Sequence, residues 1–503
     1  MEKEDQAVAE PTALRSPKEN ALTLTEALVP VVALVGMLAY NVHVYGNAAL
    51  DGSNQFILLL GGGVAALVGF RRRVPYTQML DEVADNIKST TGALLILLMT
   101  GALSGTWMLS GIIPTMTYYG LLLLNPTVFL AASVVICAII SVATGSSWTT
   151  SATVGIALIG IGNALEVSGG MTAGAVISGA YFGDKLSPLS DTTNLAPAMA
   201  GGELFPHIRY MTLTTVPTLL ITLLAFTVIG LTLAPTGTTD TQALLRTLET
   251  TFAINGWLLL VPATVVLLIV RKAPPLLALL VGTLLGGLFA LFFQPNLVAV
   301  AGGSEALTFE SGYRGVMNAI TVDTAVVTDN ATLNELFTSS GMAGMLGTVW
   351  LIICAMVFGG IMGGIGALAT ISNALLQLAT TTFGLFASTV ASCLALNLTA
   401  SDQYLALVIP GKMFAQAYRD RGLAPENLSR TLEDSGTMTS ALVPWNTCGA
   451  YQSSVLGVDV GAYFAYAIFN WLSPVMTLLF AAFRIKIKSL NKPAALRDEV
   501  YAR

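Results

Sequence analysis

The sequence predicts an all-α polytopic membrane protein made of two inverted-topology repeats, with discontinuous helices at its functional site. Three observations lead to this fold class: long apolar stretches without charge, polar segments that recur at one spacing, and loops of opposite basic content. Only 10% of the 503 residues are charged, 54% are hydrophobic, and the mean hydropathy is +0.73. Soluble proteins carry about 25% charged residues, so the composition excludes an ordinary soluble fold.

The charged residues are bunched, which leaves long stretches without Asp, Glu, Lys or Arg. A helix needs about 20 apolar residues to cross the hydrocarbon core of a bilayer, and several stretches reach that length. They are residues 27–42, 55–70, 92–124, 126–165, 210–234, 250–270, 276–293, 341–401 and 460–483. The first 26 residues are polar and acid-rich, unlike the basic start of a signal peptide, so the first apolar stretch is expected to remain a membrane span.

Polar segments of the two halves recur at a spacing of 255 residues, since Thr399 follows Thr144 by 399 − 144 = 255. The same interval relates Asp191-Thr192 to Asn446-Thr447, Gly105 to Gly360, and Gly111 to Gly366. A local slip also fits, because SPL at 187–189 resembles SAL at 440–442. The shared order and spacing predict an internal duplication.

The basic residues indicate that the two repeats have opposite orientations. Cytoplasmic loops collect Lys and Arg, and the loop 71–88 opens with three consecutive arginines. Its counterpart, 294–340, carries Arg314 against several acids and is therefore predicted to lie outside. Corresponding loops with opposite basic content are typical of inverted repeats, which many secondary transporters use for alternating access.

These observations divide the chain into five parts. They are a cytoplasmic amino-terminal tail (1–25), a first inverted repeat (26–234), a linker (235–253), a second inverted repeat (254–483) with an outside loop at 294–340, and a cytoplasmic carboxyl-terminal tail (484–503). Each repeat is expected to contain about five spans plus a helical hairpin with a polar tip, at 126–165 and at 382–421. Whether the hairpins span the membrane or re-enter it is left open.

The stretch GDKLSPLSDTTN (183–194) interrupts an apolar helix. Pro188 cannot continue a helix, and Ser and Thr favour local backbone hydrogen bonds. Irregular backbone at membrane depth is tolerated only where it is buried in protein or lines a wet cavity. DSGTMTS (434–440) and VPWNTCG (443–449) interrupt an apolar helix of the second half in the same way. Such paired interruptions point to a transport site.

An ionisable group inside a membrane costs about 2.5–3.5 kcal/mol or more and usually serves function. One buried carboxylate that binds either H⁺ or Na⁺ suffices for an exchanger, and hard cations prefer oxygen ligands. We expect Asp191 to be this carboxylate, Asp402 to be its partner, and Asp184–Lys185 to form a charge pair. An alternative role for Asp191 and Asp402 is helix capping, and Glu433–Asp434 could equally belong to a solvated first helical turn.

The candidate ion-binding residues share polar oxygen atoms and positions in the four polar segments. They are Asp184, Asp191, Asp402, Ser146, Ser147, Ser190, Thr192, Asn194, Ser401, Asn446 and Thr447, with Na⁺ at Asp191, Thr192, Asp402 and Asn446, and with Lys185 as charge partner. No nucleophile–base pair, metal cluster or cofactor motif supports an enzyme, so no cofactor is expected. The expected partners are Na⁺, H⁺ and the lipid bilayer, without nucleic acid, and a homodimer is left open.

Four segments resemble the signature of the NhaC-type Na⁺/H⁺ antiporter family. They are YFGDKLSPLSDTTNLAP (181–197), EDSGT (433–437) with PWNTCG (444–449), TGSSW (144–148) and TASDQY (399–404). The resemblance spans about residues 25–490. It implies the fold of the ion transporter superfamily and exchange of Na⁺ for H⁺ across a prokaryotic plasma (inner) membrane, with Li⁺ left open as a further cation. A related exchanger of malate or lactate stays an alternative, because the motifs do not separate these substrates.

Overall fold

The computed structural model describes residues 22–45, 52–123, 126–233, 241–327 and 337–490. Residues 1–21 of the expected amino-terminal tail, 235–240 of the linker, 328–336 of the loop 294–340 and 491–503 of the carboxyl-terminal tail lie outside the described residues. The described part is mostly helical. Its strands are β1 (Thr324–Ala325) and β2 (Thr338–Ser339), an antiparallel pair.

The first half contains ten α-helices among its described residues. They are α1 (Leu24–Tyr45), α2 (Ser53–Arg71), α3 (Tyr76–Leu109), α4 (Ile112–Leu123), α5 (Pro126–Thr144), α6 (Ser147–Thr150), α7 (Ile156–Ala164), α8 (Gly169–Leu186), α9 (Asp191–Ala200) and α10 (Leu204–Thr232). A π-helical turn, Ser151–Gly155, joins α6 to α7 and makes them one continuous rod.

The second half begins with α11 (Thr241–Thr251) and a 3₁₀ turn at Gly256–Leu259. Its further helices are α12 (Leu260–Val270), α13 (Pro275–Phe293), α14 (Pro295–Ala301), α15 (Phe309–Thr321), α16 (Gly341–Gly344), α17 (Leu346–Gly364), α18 (Ala367–Gln377), α19 (Thr382–Thr399), α20 (Gln403–Asp420), α21 (Pro425–Leu432), α22 (Met438–Ser440), α23 (Thr447–Leu456), α24 (Val460–Tyr463) and α25 (Ile468–Ala482). A π-helical turn, Glu433–Thr437, connects α21 to α22.

Eight helical segments of the described chain are long and apolar enough to cross a membrane, which makes this a multi-pass membrane protein. They are α1, α2, α3, α5, α10, α13, the joined α16–α17, and α19. A further pair, Leu244–Thr251 with Gly256–Val270, passes the same test together but bends by 88° at its break.

The loop expected at 71–88 is much shorter in the structure. Helix α3 already begins at Tyr76, directly after Pro75, and runs for 34 residues. Asp81 and Asp85 lie on its exposed face, whereas Met79 on the opposite face is buried. The charges of this stretch therefore mark an amphipathic extension of a membrane helix rather than a loop.

The segment 294–340, expected as an outside loop, is packed against the helical core where the structure describes it. Helices α14 and α15 enclose a small apolar cluster with Leu109 of α3, to which Val298 and Ala319 contribute. The approach to α3 is so close that a Cβ at Gly105 would lie 1.8 Å from the Ala319 oxygen. The described part of this segment therefore belongs to the folded helical body.

The helix boundaries of the two halves repeat at a constant interval. Helix α5 begins at Pro126 and α19 at Thr382, and 382 − 126 = 256. The same interval separates Ser147 from Gln403, Gly169 from Pro425, Asp191 from Thr447, and Leu204 from Val460, which are all first residues of helices. Left-handed residues recur likewise, at Gly145 and Ser401, Glu166 and Gly422, and Gly201 and Gly457.

This interval corrects the sequence alignment by one residue. The earlier positions Gly111 and Gly366, both left-handed at φ 80° and φ 79°, still keep the interval of 255. The interval therefore lengthens by one residue between these glycines and the first hairpin helix of each half. As a result, Asp191 corresponds to Thr447, and Asn446 corresponds to Ser190 rather than to Asp191.

Candidate functional site

The two helical hairpins end in tips that are built alike. The first hairpin comprises α5 with α6–α7, and the second comprises α19 with α20. At the first tip, Gly145 adopts φ 72° and the Ser146 hydroxyl accepts a hydrogen bond from the Thr149 N–H at 3.2 Å. At the second tip, Ser401 adopts φ 59° and Asp402 Oδ1 accepts from the Leu405 N–H at 3.0 Å. Each tip thus starts a helix from a side-chain cap.

The first break comprises residues 187–190, between α8 and α9. Helix α8 ends at Leu186 because Ser187 is extended and Pro188 follows it. The Asn194 side chain closes the loop by donating to the oxygens of Pro188, at 3.0 Å, and of Ser190, at 2.7 Å. A new helix then begins at Asp191, which leaves two helix ends facing each other inside the protein.

The second break comprises residues 441–446, between α22 and α23. Pro444 lies within it, and the Asn446 side chain caps α23 by accepting from the Cys448 N–H at 3.0 Å. The amide nitrogen of Asn446 donates to the side-chain oxygen of Asn397 at 3.1 Å. The amide nitrogen therefore holds the break against α19, while the amide oxygen caps α23.

Each tip packs on the break of its own half. In the first half, a Cβ at Gly145 would lie 2.6 Å from Leu189 Cβ, so the tip and the break are in direct contact. In the second half, the Thr447 N–H donates to the Ser401 oxygen at 3.0 Å, and Trp445 Nε1 donates to the Leu398 oxygen at 2.9 Å. The glycine at position 145 is required by this close approach as well as by its positive φ.

A cavity of about 520 Å³ lies where the two tips and the two breaks meet. Seven of the predicted site residues line it: Ser146, Asp184, Ser190, Asp191, Thr192, Asp402 and Thr447. The structure therefore gathers side chains that are up to 301 positions apart in the chain (447 − 146 = 301) around one space. Their carboxylate and hydroxyl oxygens are the ligand types that hard cations prefer.

The carboxylates that line this cavity differ in their surroundings. Asp184 is buried, with 7% of its surface exposed, and accepts a hydrogen bond from the Ser190 hydroxyl at 3.3 Å. Asp191 is exposed to the cavity. Asp402 is buried and serves as the cap of α20 through one of its oxygens. Capping therefore holds for Asp402, while Ser190, rather than Asp191, is the cap residue of α9.

The remaining predicted residues lie behind the cavity surface. Ser147 and Ser401 are buried, and neither hydroxyl finds a hydrogen-bond partner among the described residues. Asn194 holds the first break, and Asn446 holds the second. These residues shape the tips and breaks, and the cavity lining does not include them.

The expected charge pair between Asp184 and Lys185 is wrong. Lys185 Nζ instead makes a fully buried ion pair with Asp434, on the second half's π-helical turn. Consecutive residues of a helix point in different directions, so Lys185 faces away from Asp184 and from the cavity. The alternative that Glu433–Asp434 belong to a solvated first helical turn is also wrong, because both residues are completely buried.

A stacked aromatic pair connects the lining of the cavity with that of a further space of about 380 Å³. The rings of Trp148 and Tyr451 lie 3.9 Å apart at an interplanar angle of 20°, and the Tyr451 hydroxyl donates to the Trp148 oxygen at 3.0 Å. Trp148 lines the first cavity, and the Tyr451 hydroxyl lies 3.5 Å from that of Thr100, which lines the second.

Comparison with known proteins decides the family. A model of the Na⁺/H⁺ antiporter family matches residues 179–485, which include both breaks and the second hairpin. The Na⁺/H⁺ antiporter NhaC of Alkalihalophilus pseudofirmus is 38% identical over 83% of this chain and 87% of its own length. This chain belongs to the Na⁺/H⁺ antiporter family.

Other members of this antiporter family carry names with different substrates. The malate-2H⁺/Na⁺-lactate antiporter of Bacillus subtilis is 35% identical over 84% of this chain and 87% of its own length. The arginine/ornithine antiporter ArcD of Halobacterium salinarum is 31% identical over 92% of both chains. These relatives are named as transporters, and membership of the family makes this chain a transporter and not an enzyme.

Sequence reasoning missed several cavity residues of this antiporter. Ser89 and Thr90 of α3 line the cavity, as does Lys272 in the turn between α12 and α13. Lys272 is exposed and adopts φ 64°. Nothing local to this basic turn reveals that it lines the same cavity as the aspartates.

Proposed function

We propose that the chain exchanges Na⁺ for H⁺ across a prokaryotic plasma (inner) membrane by alternating access. The observation that supports this most directly is the convergence of Asp184, Asp191 and Asp402 on one cavity. Ionised carboxylates inside a membrane are costly, so a cavity lined by several of them is stabilised when cations bind. Na⁺ and H⁺ then compete for the same oxygens, and neither binds while the other occupies them.

Asp191, Thr192 and Asp402 are the proposed Na⁺ ligands. Asp191 is exposed to the cavity, and the Thr192 hydroxyl lies 3.2 Å from that of Ser190 at the start of the same helix. Asn446 was also predicted as a ligand, but its amide already caps α23 and contacts Asn397. We therefore assign Asn446 the task of positioning Thr447, which lines the cavity in its place.

Alternating access follows from the proposed inverted repeat. The constant interval of helix starts and the matched N-cap positions, Ser146 with Asp402 and Ser190 with Asn446, support a duplication that comprises 26–234 and 254–483. In an inverted repeat, the two halves exchange conformations as the site opens to either side. In this proposal the Trp148–Tyr451 pair closes one side of the site. Both chain termini are placed in the cytoplasm.

The experiment is ion exchange by the purified chain in proteoliposomes that contain a pH-sensitive dye. An outward proton gradient should dissipate when NaCl or LiCl is added, and should persist with choline chloride. Uptake of malate and lactate is measured in the same vesicles. Na⁺-independent dissipation of the gradient would contradict the proposed exchange.

A second candidate function, exchange of a small organic carboxylate, is favoured by a separate observation. Helices α6–α7, α9, α20 and α23 all begin at the cavity, and the amino-terminal end of a helix carries about half a positive charge. Discontinuous helices aim such ends at anionic substrates in other transporters. The volume of about 520 Å³ also exceeds what a single Na⁺ needs, and Lys272 adds a cation.

The two functions are separated by one substitution. Lys272→Gln should lower trans-stimulated uptake of malate or lactate several-fold if a carboxylate is the cargo. The same variant should leave Na⁺-driven proton movement near the wild-type rate if the cargo is Na⁺ and H⁺, because Lys272 repels rather than binds a cation. Uptake of arginine in place of malate would reveal a cationic amino-acid substrate instead.

A further inference from the structure

Two adjacent carboxylates lie inside the second half, away from the lining of the 520 Å³ cavity. Glu433 and Asp434 belong to the π-helical turn Glu433–Thr437, and neither has any exposed surface. A π-helical turn within an α-helix is rare and often marks a functional position. The two side chains share the same burial but differ completely in their hydrogen bonding.

Asp434 is satisfied as an ionised group. It receives the ammonium of Lys185 and the hydroxyls of Thr477 and Thr214, the last at 2.9 Å. These donors come from α8, α25 and α10. A buried carboxylate with one cationic and two hydroxyl donors keeps its charge without a large penalty.

Glu433 has no cationic donor, and its hydroxyl neighbour is Thr437, on the same π-helical turn. Neither of its carboxyl oxygens makes a hydrogen bond of normal geometry with the described residues. Arg430, one turn earlier on the same helix, makes no ion pair within 4 Å in the described chain, because its guanidinium lies over the ring of Tyr210 at 4.6 Å. Burial of an ionised carboxylate without a partner costs several kcal/mol even after relaxation, so Glu433 is a neutral acid in this conformation.

Few ionisable groups surround Glu433 on the neighbouring helices. Its electrostatic neighbours are Asp184 and Lys185 of α8, Asp434 beside it, and the thiol of Cys393 on α19. Helix α20 packs on the turn through Ala406 and Leu407, and α25 carries no ionisable side chain. Helix α9 also packs on the turn, and its one ionisable side chain is Asp191. Of these neighbours of Glu433, Asp184 also lines the cavity.

We propose that Glu433 is a second proton-binding site of the exchange. Its carboxylic acid loses the O–H proton toward Asp184 when Na⁺ enters the cavity, and Asp184 passes this proton to the cavity. The carboxylate that remains takes up a proton again when Na⁺ has left. This inference rests on the proposed Na⁺/H⁺ exchange and adds one proton per cycle to the proton that Na⁺ displaces at the cavity aspartates.

The test is the coupling ratio of the full chain in proteoliposomes. The membrane potential is held at zero with K⁺ and valinomycin, and the Na⁺ gradient is varied until a fixed pH gradient drives no net Na⁺ flux. For the wild type, the balancing Na⁺ ratio should equal the square of the proton ratio. For Glu433→Gln, which keeps the shape but cannot release a proton, it should equal the first power.

Control variants separate the second site from damage to the protein. Glu426→Gln removes a carboxylate from the same helix, one that pairs with Lys488 near the protein surface, and should keep the wild-type exponent. Glu433→Asp retains a carboxylic acid at this position and should also retain the wild-type exponent. If Glu433→Gln folds without transporting, the protons released when Na⁺ binds to the purified protein are counted, and one fewer than in wild type is expected.

Equal exponents, or equal proton counts, for Glu433→Gln and wild type would overturn the second site while leaving the exchange intact. A wild type that shows no Na⁺-linked proton movement would overturn the proposed exchange, and the second site with it. The two failures are therefore distinguishable, because the first requires an active wild type and the second an inactive one.

Discussion

Replacement of Lys185 by Met should destabilise the protein strongly, because it leaves Asp434 buried without its cation. The side chain of Lys185 is completely buried, and its ammonium contacts Asp434 and lies 3.4 Å from the Ser473 hydroxyl. Its nitrogen also lies 5.2 Å from the centre of the Phe469 ring. The pair joins α8 to the second broken helix across the interface of the two halves.

The expected magnitude follows from what remains around Asp434. After the substitution, the carboxylate keeps the hydroxyls of Thr214 and Thr477 but loses its cationic partner. Removal of one member of a buried ion pair costs about 3–5 kcal/mol. Since every 1.4 kcal/mol is about a tenfold change in an equilibrium constant, the folded state should lose about two to three and a half orders of magnitude relative to the unfolded state.

The assay is unfolding of the purified protein in detergent, followed by tryptophan fluorescence as denaturant is added. Lys272→Met is the matched control, because Lys272 is exposed and exposed substitutions usually stay within about 0.5 kcal/mol of wild type. The double variant Lys185→Met/Asp434→Asn removes both charges and should recover most of the loss, because an amide can still accept from both threonines.

Two results would refute this reasoning. Unfolding of Lys185→Met at the wild-type denaturant concentration would mean that the buried pair contributes nothing to stability. A double variant no more stable than the single one would show that the loss came from the lysine's packing against Phe469 and not from an unpaired charge.

Three further substitutions test the site. Asp191→Asn should abolish Na⁺-driven proton movement in vesicles and leave the amount of protein in the membrane unchanged, since Asp191 is exposed to the cavity. Gly145→Ala forces a side chain to adopt φ 72° and places its Cβ 2.6 Å from Leu189 Cβ; it should cost about 1–3 kcal/mol of stability and slow transport. Tyr451→Phe removes the hydrogen bond to the Trp148 oxygen and keeps the ring stack, so thermal unfolding should show a loss of about 1 kcal/mol.

Local chemistry explains which features could be predicted from the sequence. The first break was predictable because Pro188 and its hydroxyl neighbours forbid a continuous helix, and α8 does end at Leu186. The tips were predictable because Gly145 and Asp402 belong to short polar segments inside long apolar ones. Each of these signals lies within about five residues of the structure that it specifies.

Long-range packing explains the rest. The partner of Lys185 lies 249 positions away, and sequence adjacency to Asp184 suggested the wrong pair. The amphipathic start of α3 carries enough charge to resemble a loop, although Met79 is buried. The register of the proposed repeat differs by one residue from the sequence-based one, because Gly111 and Gly366 keep the interval of 255 while the later helix starts keep 256.

The charges around the cavity limit how many cations it can hold. Four helix starts contribute about +0.5 each, or about +2 together, Lys272 contributes +1, and Asp184, Asp191 and Asp402 contribute −3 when all are ionised. The sum is close to zero, so the lining has little negative charge with which to hold more than one monovalent cation, either Na⁺ or H⁺. A cavity with room for one charge accounts for the competition between the two ions, but it cannot by itself carry an additional proton. Any coupling of more than one proton per Na⁺ therefore requires an acid outside the cavity lining. Glu433 is such an acid, because it is buried without an ion-pair partner among the described residues and interacts electrostatically with Asp184.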